Sequence, residues 1–573
     1  MKKLLTFFTC LFLCISVMNN RRVFAATSEP NVVVGNGTQA SCTEAALNTA
    51  IAQGGVITFN CGSTGHTIKF TTYKQINQAM SIDGGNLITL SGNNTTSLFQ
   101  VFSGVRFSLS NITLSEALGK DGFGTIDNFG TLIINNSRIE NNKANTFNGG
   151  ALTNHSIAEI SDTVFFNNSA ANSNGGAIYN DSGTTTLTRT QILSNTAGNG
   201  GAIYSRDGAI TMFRTHVLSN TAHYGGGINI FGGTFIANNL IVRENIGFDG
   251  GGMWINQNVT ATIQRSEFSA NNSQYGAGLE VSGKLIMTNT TLSGNTAIND
   301  GGGIWFLNTS DTSQLNSVTL YQNQATNGGA INSNGGSVVL KNSALTGSGS
   351  VSPPLCAGDV ITADITNFAS DGTCGAATLS GDIRLQPLAD NGGFTLSHLP
   401  TVKSVLIDAV DTCPSIDQRG VLRPKGIRCD VGSVELAPDS TTFLPAMLRE
   451  YVVPFNGRFE IEPNNSIATA NSFLISNVAC IGFPDDVDDY YGFTVSTAGA
   501  VTIQLTGHSG ENINKLQLQL RNASNTLITF AFAPPYTINI ANLPAGTYYA
   551  RIFYAAPGPY NSSTPYSLRV VYP

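Results

Sequence analysis

The phrase Asn174-Gly-Gly-Ala-Ile-Tyr179 returns unchanged as Asn199-Gly-Gly-Ala-Ile-Tyr204, and the interval between the two copies decides the fold. Variants begin their glycine pairs at Gly149, Gly225, Gly250, Gly276, Gly301 and Gly328. Successive first glycines in the whole series stand 26, 25, 25, 25, 26, 25 and 27 residues apart. Five to seven residues ahead of the glycines runs a second column: Asn142, Asn168, Asn195, Asn220, Asn245, Asn271, Asn295 and Asn323. Each follows three residues behind a mostly apolar position, such as Phe165, Ile192, Val217, Phe268 or Leu292. A fixed period of roughly 20–50 residues marks a solenoid or propeller, and one near 25 is too short for a propeller blade or a helix pair.

Within each repeat, apolar and polar residues alternate over short runs, which is a strand pattern. Gly, Asn, Ser and Thr fill the intervals and supply turns. These features predict a right-handed parallel β-helix, one coil per repeat, with neighbouring strands about 4.8 Å apart. Identical residues then stack into ladders. The asparagine column is expected to stack inside a turn, each amide bonding the next. The glycine column marks a tight corner where a Cβ would clash.

Working outward, residues 1–25 read as a secretory signal: Lys2 and Lys3, an apolar run from Leu4 to Val17, then Val23-Phe24-Ala25 as a cleavage site. No later segment has the roughly 18 apolar residues of a membrane span. The mature protein is expected to be exported, secreted or at the cell surface, and monomeric. Charged residues make up only 11% and the net charge is −7, which argues against nucleic acid as a partner. Seven cysteines remain after the signal; Cys42 with Cys61, Cys356 with Cys374 and Cys413 with Cys429 form local pairs, leaving Cys480 over. Local pairing in an exported chain predicts disulfides.

Residues 41–53 predict a helix, with Ser41 as cap, Glu44 completing a capping box, and Leu47, Ala50 and Ile51 as the apolar stripe. It is read as the N-terminal cap that an open solenoid end requires. The expected domains are a β-helix over 26–436, a linker over 437–456, and a β-sandwich over 457–573. In the first, 26–65 form the cap, coils begin near His66, and 340–436 close the helix. The sandwich rests on short alternating strands such as Val501–Leu505 and Leu516–Leu520.

The Gly-Gly-Ala-Ile and Phe-x-x-Asn phrases (Gly175 to Ile178; Phe165 to Asn168) resemble the repeats of chlamydial polymorphic outer-membrane proteins. That family includes adhesins, and the scaffold in general also carries polysaccharide lyases and hydrolases. Leu388–Thr395, Ile416–Gly420 and Asp430–Glu435 resemble the closing segment of choice-of-anchor β-helix proteins. There Asp417, Arg419, Arg423 and Asp430 are read as an ion-pair network tying the last coils. Glu462–Ser466, Asp489–Phe493 and Leu543–Tyr549 resemble the bacterial pre-peptidase C-terminal domain, a binding or targeting module.

Candidate chemistry is sparse. Asp249 and Asp300 occupy one column two coils apart, about 9.6 Å by strand spacing, near the separation of inverting glycosidase pairs. The residue after the apolar one in each glycine phrase reads Tyr179, Tyr204, Asn229, Trp254, Glu280, Trp305, Asn332, and both tryptophans of the chain are in it. Side-chain alternation points this column outward. Tyr179, Tyr204, Trp254 and Trp305 form either an exposed row that stacks sugar rings or plain cover for the surface. Arg189, Arg214 and Arg265 form another column, suited to anionic sugars or to acidic neighbours such as Glu267.

In the C-terminal module, Glu460, Glu462 and Asn464 share one side of an extended run, and Asp485, Asp486, Asp488 and Asp489 crowd together. These runs resemble the calcium ligands of clostridial collagenase collagen-binding domains. The resemblance implies calcium on Glu460, Glu462, Asn464, Asp486 and Asp489. The sequence as a whole reads as a binding or adhesin-like protein of polysaccharide or cell-surface glycan. A polysaccharide lyase or glycosidase is the alternative, and a structural spacer the third reading.

Overall fold

The computed structural model describes residues 30–436 except 120–121, 308–310, 348–353, 376–378 and 381–382. In the C-terminal part it describes 466, 470, 474, 476–477, 479–482, 488–506, 516–532, 536–554 and 566–573. The signal segment and the linker lie outside these residues. Two compact units divide at Pro438 and Asp439.

The first unit is a parallel β-helix. Its ladder runs unbroken from Asn31–Val34 to Leu379–Ser380 in parallel register. The long strand Ile203–Leu218 shows how coils join. It pairs with Ile178–Thr188 and Gln191–Leu193 on one side, and with Ile228–Ile230 and Thr234–Arg243 on the other. Period-two alternation sends every second apolar side chain into the lumen. Ile178, Ile203, Ile228, Met253, Leu279, Ile304 and Ile331 form one fully buried ladder. Leu187, Met212, Ala237, Ile263, Met287, Leu315 and Leu340 form a second. Phe165, Ile192, Val217, Val242, Phe268, Leu292 and Leu320 form a third.

Two devices hold the turns. Each asparagine of the predicted column donates from Nδ2 to Oδ1 of the next, from Asn142→Asn168 (2.9 Å) to Asn295→Asn323 (2.8 Å). The same amides bond backbone carbonyls of the coil behind, as Asn220 does with Ile192 O at 3.0 Å. These bonds give the buried amides partners from coil to coil. At the glycine corner, five to seven residues further along each coil, the glycines are obligatory. Gly200 has φ +61°, and a Cβ on Gly201 would lie 2.2 Å from Gly226 O of the next coil.

At the N-terminal end the helix spans Glu44–Gln53, after a 3-10 turn Gln39–Ser41. Thr43, not Ser41, is its N-cap, its hydroxyl accepting from the Ala46 amide at 3.2 Å. Ser41 instead serves the preceding turn, accepting from the Asn36 amide. Glu44 does not close a capping box; it bonds Thr71 and pairs with Lys74. The first coil starts well before His66, since Asn31–Val34 already pairs with Gly55–Phe59, and that strand with Met80–Ser91. The three predicted disulfides are present.

After Ser380 the chain stops coiling and lies back along the flank of earlier coils. Ile416 O accepts from Asn289, Gln418 from Thr291, and His398 bonds Ser293. Asp417 accepts from Arg419, and Arg423 lies 3.7 Å from Glu435 and donates to Gly432 O. Asp430 accepts from the backbone amides of Asp408 and Leu436. The charged residues of this segment therefore bond one another and local backbone.

The second unit comprises two four-stranded antiparallel sheets. One contains Ala479–Gly482, Gly499–Thr506, Tyr536–Leu543 and Tyr566–Val571. The other contains Asp488–Val495, Leu516–Asn522, Leu527–Ala531 and Gly546–Tyr554. Tyr491, Phe493, Ile503, Leu518 and Leu568 fill the layer between them.

Candidate functional site

The glycine corner carries two columns of side chains. In the first, Asn199, Tyr224, Asp249, Tyr275, Asp300 and Asn327 are bridged in parallel from coil to coil. Five residues along each coil comes the second: Tyr179, Tyr204, Asn229, Trp254, Glu280, Trp305 and Asn332, in continuous register.

Tyr179 and Tyr204 are only 4% and 8% exposed, so they do not stand in an exposed row. Strand register is the cause. It lays the two rings face to face, 5.7 Å apart and 17° from parallel, with Phe231 6.1 Å beyond Tyr204. Burial raises both phenol pKa values, that of Tyr204 to about 12. Phe231 itself is exposed.

Trp254 and Trp305 are half-buried. Each leans on a tyrosine of the first column from the coil before: Tyr224–Trp254 and Tyr275–Trp305 both at 4.9 Å between ring centres. His223 and Phe248, both exposed, stack 4.8 Å apart beside them. Sequence reasoning missed Tyr224 and Tyr275. The signal was there, because each precedes a repeat glycine, at the position also held by Asp249 and Asp300.

Asp249 and Asp300 stand two coils apart in one column. Tyr275 separates Asp249 from Asp300 in their column, and Asp300 Oδ1 accepts from Asn327 (2.9 Å) and Asn332 (2.8 Å). The acidic neighbour of Asp249 is Glu280, on the next coil and in the other column. Glu280 is 2% exposed. Burial, with the Asp249 charge adding to it, pushes its carboxyl up to about 8. Burial raises Asp249 too, and His223 offsets part of that. Glu280 lies in register between Trp254 and Trp305. Its Oε2, Asn229 Oδ1 and both indole Nε1 groups are buried without a hydrogen-bond partner.

The arginine column belongs to another face. Arg189 holds Asp162 through two 2.7 Å bonds, and Arg265 donates to Asn238. Arg214 is lowered by burial first, then by Arg189 and Arg265. Glu267 is taken by Arg243 at 2.6 Å and by the Leu396 amide. The closing segment also reaches this side, with Thr395 bonding Arg265 O and Phe394 packing on His216.

Of the expected calcium ligands, Glu460, Glu462, Asn464 and Asp486 lie outside the described residues, and Asp489 is buried. Among the described residues no three His, Cys, Asp or Glu converge on a metal position. None of the described helices is long and apolar enough to cross a membrane.

Residues 488–553 match the family model of the bacterial pre-peptidase C-terminal domain. The corresponding domain of a Bacillus anthracis collagenase is 21% identical, covering 18% of this chain and 95% of that one, with a TM-score of 0.15. The enzymatically active domain of bacteriophage CBA120 tailspike protein 4 is 10% identical over 92% of this chain and 65% of its own, with a TM-score of 0.29. Pectate lyase Pel9A is 15% identical over 71% of this chain and 97% of its own, with a TM-score of 0.27. No curated protein matches the chain.

Proposed function

We propose that the protein is an exported, extracellular or cell-surface β-helix protein that binds polysaccharide or cell-surface glycan at the glycine corner between coils 224 and 332. One observation carries this reading: the half-exposed ring pairs Tyr224–Trp254 and Tyr275–Trp305 repeat two coils apart beside polar groups with unmet hydrogen-bonding capacity. Flat aromatic faces next to buried polar atoms are the composition of a sugar site. Exposed Phe231, stacked on buried Tyr204, extends the surface toward earlier coils. The C-terminal module serves as a second binding or targeting element, with calcium on Glu460, Glu462, Asn464, Asp486 and Asp489.

The test is a glycan panel with the intact protein and with Trp254→Ala plus Trp305→Ala. Loss of at least tenfold in affinity for a bound glycan, with the fold retained, is the expected result. Wild-type binding by the double variant refutes this site, and a protein that binds nothing is a spacer.

A second reading is hydrolysis, because a carboxyl that stays protonated at neutral pH beside a second acid is the division of labour of glycosidases. Glu280 is the acid and Asp249 the base. Release of reducing ends from the bound glycan, abolished by Glu280→Gln, tests it.

A further inference from the structure

The two columns at the glycine corner interleave acids and rings. Read coil by coil they give Tyr224 with Asn229, Asp249 with Trp254, Tyr275 with Glu280, and Asp300 with Trp305. Neither column carries Lys or Arg across these coils. Asp300 is satisfied by two asparagine amides. Glu280 is not: its Oε2 is buried with no donor. A buried acceptor without a partner, beside a second acid, is a costly arrangement that a ligand donor would relieve. The titratable groups acting on this pair are Asp249 on Glu280 and His223 on Asp249.

The rings narrow the ligand class. Glu280 sits in register between the only two indoles of the chain, whose Nε1 groups also lack partners. Indole faces attract cations, and the attraction grows when water is excluded. A hard cation such as calcium would need about six or more oxygens at once, and no three His, Cys, Asp or Glu converge here among the described residues. A primary ammonium needs one strong acceptor and a few flat faces. The hydroxyls beside it on a sugar ring would accept from Nε1 of Trp254 and Trp305.

We propose that the corner around Glu280 is a subsite for a protonated amine, so that the glycan taken is one with free amino groups. This rests on the glycan-binding reading and specifies its substrate class. The incoming ammonium displaces to solvent the proton that the free Glu280 carboxyl holds at neutral pH, and Oε2 of the resulting carboxylate accepts from the ammonium; Asp249 adds negative potential, and Trp254 and Trp305 flank the charge. Acidic sugars are disfavoured here by the same carboxyls.

The experiment titrates the full-length protein at pH 7 and low salt with a hexamer of β-1,4-linked glucosamine and with its fully N-acetylated counterpart. It is repeated with Glu280→Gln, which keeps the side-chain shape and removes the buried acid. The expected result is that the amine hexamer binds at least about tenfold tighter, as a charge-assisted hydrogen bond implies. Glu280→Gln removes that preference while leaving the circular dichroism spectrum unchanged. Equal binding of both hexamers overturns the amine subsite and leaves glycan binding standing. A preference that survives in Glu280→Gln also overturns it, since the selecting charge then lies elsewhere. If neither hexamer binds but another glycan does, dependent on Trp254 and Trp305, the amine proposal falls alone; if nothing binds, both readings fall.

Discussion

Replacing Glu280 by Gln should stabilise the β-helix at pH 8 and leave it nearly unchanged at pH 4.5. The folded state holds the Glu280 proton up to about pH 8, against 4.5 for an ordinary glutamate. The stability this confers is full below about pH 4.5 and is lost as pH rises to about 8, because the unfolded chain releases the proton first. Each pH unit in that window removes up to about 1.4 kcal/mol, so the ceiling is on the order of 5 kcal/mol. Relaxation and water entry around a charged Glu280 bring the expected effect down to about 2–3 kcal/mol. Gln does not titrate, so the variant escapes the loss. For a unit of this size that amounts to a few degrees in melting temperature at pH 8, on the order of 3 °C. Thermal unfolding of wild type and variant, at one scan rate and at pH 4.5, 6 and 8, reads the difference. Parallel pH profiles for the two proteins would refute the assignment of a buried, proton-holding carboxyl. Asp249→Asn should give a smaller shift of the same sign, because Asp249 is the lesser cause.

Asn220→Ala removes a fully buried amide that accepts from Asn195 and donates to Asn245 and Ile192; stranding those groups should cost about 2–4 kcal/mol in denaturant unfolding. His398 is held down to about 4 by burial, so it stays neutral in the fold while the unfolded chain takes a proton below about pH 6.5. Stability should therefore fall as pH drops from about 6.5 to 4, and His398→Gln, measured by proteolysis of the closing segment, should flatten that fall. Millimolar calcium should raise the melting temperature of the C-terminal module relative to chelator, and Asp486→Ala plus Asp489→Ala should abolish the rise.

The sequence by itself determined the scaffold. A residue needed at every coil must recur at every coil, so the obligatory glycines and the bonded asparagines print the period directly. Local cystines were legible for a related reason: Cys42 and Cys61 close a short loop, and few other pairings compete. What only the tertiary structure decided lies across coils and across columns. Glu280 and Asp249 belong to different positions of different repeats, and nothing periodic links them; stacking of the coils makes them neighbours and buries the acid. The same stacking presses Tyr179 against Tyr204, hiding rings that alternation alone turns outward. The closing segment meets Asn289 and Thr291 across 127 residues of chain. Its partners are fixed by where the last coil ends on the solenoid surface, which the repeat does not encode.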